Sequence, residues 1–103
     1  MRRRAQGWPD AEYRRRSRQA ETWHHRVDEV DQAVQAVVQE RGGHHLFPHK
    51  AVEKFGWQVK RVRNLLVDVQ HDPTDAQMAT LQAAVHEAVR LGDVVVRAAV
   101  RAR

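Results

Sequence analysis

The stretch AVEKFGWQVKRVRNLLVDV, residues 51–69, carries an unbroken apolar rhythm. Val52, Phe55, Val59, Val62, Leu66 and Val69 recur at alternating three- and four-residue steps. That spacing holds side chains on one stripe of an α-helix, whereas a strand would scatter them over both faces. Upstream, Ala20, Trp23, Val27, Val30, Val34 and Val37 repeat the pattern, and downstream Met78, Leu81, Val85 and Val89 begin it again. Each run opens after one of the chain's three prolines, Pro9, Pro48 and Pro73. Proline suits the first turn of a helix, where its missing N–H leaves no bond unmade. Short connections between long helices favour antiparallel neighbours. The fold expected is therefore all-α: an antiparallel three-helix bundle with coiled-coil-like heptad packing and an Arg-rich N-terminal extension.

Residues 1–8 lack periodicity and read as a flexible basic arm, followed by a single domain over 9–103. Its helices are expected at about 9–41, 48–70 and 73–103. Gly42 and Gly43 supply a stop, since glycine accepts the left-handed conformation common just past a helix end. Asp72 is placed to cap the third helix, and Asp75 meets the positive end of its dipole. Gly92 falls on the core phase of that helix, which is expected to continue through it and to approach a neighbour closely there. In the first helix the core phase reaches back to Arg16, flanked by Arg14, Arg15 and Arg18. An arginine at that phase suggests that the start of the helix projects beyond the bundle. A second stripe on the third helix, Ala84, Leu91, Val95, Ala98 and Ala102 with Val94 beside it, marks a helix either central to its bundle or in contact with another chain.

Hydrophobic residues at 42% and charged residues at 30% suit a folded, helix-rich chain better than a disordered one. No window approaches the ~18 apolar residues of a membrane span. The Arg2–Arg4 run is followed by Gln6, Gly7 and Trp8 where a signal peptide needs an apolar run, so no membrane partner and a cytoplasmic location are expected. Absence of cysteine excludes disulfide and thiolate chemistry. The net charge of +5 is one-sided: residues 1–26 hold eight arginines against Asp10, Glu12 and Glu21, and the acidic and basic groups of the remaining chain cancel.

Several arginines together release counterions from a nucleic acid and grip phosphates through planar guanidinium groups. The cluster Arg2, Arg3, Arg4, Arg14, Arg15, Arg16 and Arg18 carries that expectation. On the second helix Trp57 lies nearly opposite the apolar stripe, beside Lys60 and Arg61. An aromatic ring among cations on a solvated face suits base stacking or a protein hot spot. Antiparallel packing would also bring Arg61 and Arg63 near Arg14–Arg18. His45, His49 and Glu53 have metal-like spacing, but His45 precedes Pro48 and no fourth ligand is evident, so neither metal nor cofactor is expected. No nucleophile sits beside a plausible base, and catalysis is not expected. The function read from the chain is a non-enzymatic subunit that binds nucleic-acid backbone without strong sequence specificity, DNA or RNA alike, within a nucleoprotein assembly. The alternative is a homo-oligomeric adaptor or structural protein that docks on an acidic partner.

Overall fold

A computed structural model describes residues 9–40 and 49–101, including the side chains of all but 49, 100 and 101. Three helices account for the described chain: α1, Asp10–Glu40; α2, His49–His71; and α3, Asp75–Arg101. Each packs on both others, and α3 makes the most extensive contacts. The basic arm 1–8, the Gly42–Gly43 stop and the His44–Pro48 connection lie outside the described residues.

In α2 all six residues of the apolar stripe are buried. In α1 the buried set is Ala20, Val27, Val34 and Val38, with Trp23 and Val30 packed at its margin. Val38 takes the place expected of Val37. A straight helix has 3.6 residues per turn, so a strict heptad stripe drifts around it, and the four-residue step keeps a side chain facing inward. On α3 the core uses Leu81, Ala84, Val85, Ala88, Val95 and Ala99. Both of its stripes thus turn inward, the first at Leu81 and Val85 and the second at Ala84 and Val95, while Val94 stays exposed. Small residues let α3 sit close to two neighbours at once.

The turn before α3 corrects one expected cap. Thr74, not Asp72, caps the helix: its Oγ1 accepts from the Gln77 N–H at 3.1 Å. Its carbonyl also takes the first helical bond, from the Met78 N–H at 2.8 Å. Pro73 is buried just ahead of the helix rather than inside it. The hydroxyl is better placed because the chain bends at 72–74, where the Thr74 N–H reaches back to the Asp72 carbonyl at 2.8 Å.

Gly92 leaves α3 unbroken and is itself buried. A methyl group at that position would overlap Val30 Cγ1 on α1 and stand 3.0 Å from Phe55 Cε1 on α2. The absent side chain is therefore what lets both neighbours reach the α3 backbone. Gly92→Ala is expected to destabilise the fold by about 1–3 kcal/mol through overpacking, outweighing its gain in helix propensity. In a Val30→Ala background the cost should shrink, with a coupling of about 0.5–3 kcal/mol in urea unfolding of the four variants of the cycle. Strict additivity would contradict the contact.

Candidate nucleic-acid interface

The arginines at the start of α1 divide into two kinds. Arg16 is largely enclosed, its side chain 20% exposed. Its Nε donates to Glu12 Oε2 at 2.6 Å. Its Nη1 donates to the Pro73 carbonyl at 2.9 Å and pairs with Asp75 Oδ1 at 2.7 Å. Tyr13 reinforces the contact by donating its hydroxyl to the Gln70 carbonyl, and the Gln70 amide donates to Glu21. The expectation that this segment projects without a partner is thereby corrected. Arginine stands at the core phase because its guanidinium closes the end of the bundle on polar atoms of the 70–75 turn, a partner that no helical wheel displays.

Arg15 grips the same Glu12 carboxylate, with Nη2 2.7 and 2.6 Å from its two oxygens. Its side chain stays 72% exposed. Hydrogen bonds from Arg15 and then Arg16 hold the Glu12 carboxyl below its ordinary range. Arg14 and Arg18 differ from both: they are exposed, and among the described residues no ion pair engages them. Four residues apart on one helix, they share a face, which lies opposite Ala20 and Val27. Arg2, Arg3 and Arg4 lie outside the described residues.

On α2, Trp57 is 65% exposed and the Lys60 ammonium lies 5.4 Å from its ring centroid. Such a contact contributes about 0.5–1 kcal/mol at an exposed site. Shallow concavities flank the ring, one toward Gly56 and Arg63, the other toward Arg61 and Asn64. Val67, further along the helix, is 64% exposed.

These two regions do not merge. Arg63 is drawn to Asp28 at 3.5 Å and Asp31 at 3.6 Å, so it does not extend the Arg14–Arg18 cluster. Asp28 stands ten residues beyond Arg18 on α1, and Trp57 six residues before Arg63 on α2. In an antiparallel pairing, a rise of 1.5 Å per residue would put Trp57 and Arg18 about 24 Å apart along the bundle.

A feature absent from the sequence reading lies next to the arginines. A groove of about 330 Å³ runs between α1 and α3, with Trp23 and Met78 as its apolar walls. Gln19 on α1 and Gln82 on α3 border it, and Arg15, Arg16 and Asp75 stand at one end. Trp23 was assigned to the core stripe, and it is in fact half-buried. Only the pairing of α1 with α3 reveals that two glutamines from distant stretches flank it.

Among the described residues, no group of three His, Asp or Glu side chains is placed to hold a metal ion. Among them also, no helix is long and apolar enough to cross a membrane. His45 and the His49 side chain lie outside the description. No family model, curated protein or solved structure matches the chain.

The Glu12 clamp has a defined pH dependence. Its folded pKa lies below the ordinary value of 4.5, so its contribution is full above that value and lost as the pH falls through the lowered one. NMR signals of the Tyr13 ring and Trp23 indole should hold steady from neutral pH down to the ordinary carboxylate range, then shift toward an undocked state. Glu12→Gln should weaken docking at neutral pH and remove that acid step. An identical acid profile in both proteins would contradict the clamp.

Proposed function

We propose that this chain is a non-enzymatic, nucleic-acid-associated helical subunit that contacts phosphate backbones without strong sequence specificity. The observation that carries the reading is the division among its arginines. Arg15, Arg16, Arg63 and Arg90 are spent on carboxylates of the bundle. Arg14 and Arg18 stand exposed and unpaired in the quarter of the chain that holds its whole excess charge. Clamping the helix start to the 70–75 turn presents those two guanidiniums from a rigid platform, so less side-chain and backbone entropy is lost on binding. Arg2, Arg3 and Arg4 add charge from the arm, and Arg15 adds its exposed flank. Trp57, Lys60 and Arg61 form a second contact region about 24 Å along the rod for a long strand.

The scaffold proposed is antiparallel with heptad-like packing. It is supported by contact pairs that fall along α2 as they rise along α1: Gln70 against Tyr13 and Glu21, then Arg63 against Asp28 and Asp31. The site holds no cofactor and performs no catalysis in this reading, and its setting is a cytoplasmic nucleoprotein assembly. A second reading, a homo-oligomeric adaptor on an acidic partner, is favoured by the exposure of Trp57 and Val67 on one helix.

Fluorescence anisotropy with labelled single- and double-stranded oligonucleotides tests the first reading. Log affinity should fall linearly with log salt, and Arg14→Gln with Arg18→Gln should flatten the slope by about 1.4–1.8, the counterions released at two phosphates. The helical signal should be unchanged. No retention of any probe at low salt would contradict the reading and leave the adaptor account.

A further inference from the structure

The groove between α1 and α3 has a composition that neither packing nor solubility requires. One wall is Trp23, half-buried and packed against the core, so its ring is already held in place. An immobilised aromatic face is a stacking platform that costs little entropy to use. Met78, also packed against the core, supplies a polarizable surface on the α3 side. Gln19 and Gln82 face solvent at the rim, and no other described residue occupies either amide with a hydrogen bond. An amide offers both a donor pair and an acceptor, the combination that reads the edge of a planar heterocycle.

The end of the groove carries charge in a fixed arrangement. Arg16 is locked there by Glu12, Asp75 and the Pro73 carbonyl, and it acts as a wall. Arg15 binds Glu12 through Nε and Nη2, which leaves its Nη1 unbonded at the mouth. Arg14 and Arg18 stand on the same helical segment but outside the groove, on the face of α1 turned away from Trp23. At about 330 Å³ the groove is at the lower end of small-ligand sites, room for one ring system and not for a second helix. An apolar ligand or a lipid chain would leave the glutamine and arginine rim unpaired. A planar, hydrogen-bonding ring attached to a phosphate uses every part of it.

We infer that this groove takes one unpaired nucleobase, stacked on Trp23 and hydrogen-bonded by Gln19 and Gln82, while its phosphate meets Arg15 at the mouth. The inference rests on the proposed phosphate contact and adds the class of nucleic acid: single-stranded, because bases in a duplex are held in their stack and cannot enter a groove. It moves the stacking residue from Trp57, where the sequence alone places it, to Trp23. A base at Trp23 lies in the groove that Arg15 borders, whereas Trp57 is about 24 Å from Arg18 along the rod.

The test measures anisotropy with labelled oligo(dT), oligo(dA) and oligo(dC), and with a duplex of equal length, for wild type, Trp23→Leu, Trp57→Ala and the pair Gln19→Ala/Gln82→Ala. Expected are tighter binding of single strands than duplex and a loss of about 5- to 150-fold for single strands in Trp23→Leu. Duplex binding and the salt slope should be unchanged in that variant. The glutamine pair, at exposed positions that do not carry the fold, should level the differences among the three homopolymers. It keeps the test decisive if circular dichroism shows Trp23→Leu to be unfolded. Equal affinity for single strands and duplex, unaltered by the glutamine pair, would overturn the slot and leave the arginine contact standing. So would a loss of single-strand binding in Trp57→Ala alone. Absence of binding to every probe would overturn both.

Discussion

At Gly92 the backbone of α3 is touched from two sides, by Val30 of α1 and by Phe55 of α2. No side chain can be added there without displacing one of them, so this point sets how the three helices lie against one another. Glycine in a helix costs about 1 kcal/mol relative to alanine. Burying a side chain such as Phe55 contributes about 1.5–3 kcal/mol, which more than offsets it. The contact also sets register. With Val30 and Phe55 both opposite Gly92, Arg63 comes within reach of Asp28 and Asp31, and Arg16 within reach of the turn at 73–75. The groove lined by Trp23 and Gln82 is a consequence of the same register.

The charge of the chain is sorted by that geometry. One arginine of the basic segment is converted into a structural end-piece, and a second shares its carboxylate while remaining at the surface. Two others are left facing water. A segment that reads as uniformly basic thus becomes a rigid mount with a small number of exposed guanidiniums. Glu12 is central to this sorting: without it, Arg15 and Arg16 would lie one residue apart with no shared counter-charge on their own helix. Arg15 and Arg16 then stand at the end of a defined groove, while Arg14 and Arg18 face water on the other side of the same helix.

Legibility from sequence followed the strength of the helical phase. On α2 every buried residue of the stripe was readable, and so was the outward placement of Trp57, because both depend only on position around one helix. Continuity through Gly92 was readable for the same reason. On α1 the phase located Val27 and Val34 but missed Val38, since small drifts accumulate over a helix of 31 residues. What depended on contacts between helices was not readable. Arg16 looked unpartnered because, beyond Glu12 on its own helix, its partners are a carbonyl and a carboxylate 57 or more residues away. Thr74 was passed over for Asp72, two residues earlier, because the bend of the turn decides which side chain reaches the helix. Gln19 and Gln82 gave no signal, as nothing in either stretch indicates that they flank one groove.

The most direct measurement is a carbon- and nitrogen-resolved NOESY spectrum of the labelled protein, read at the Gly92 α-protons. The account predicts cross-peaks to the Val30 methyls and to the Phe55 ring protons, together with sequential helical connectivities running unbroken from 91 to 93. Gly92 α-protons with no contact to either side chain, or a break in the helical connectivities at that residue, would contradict it.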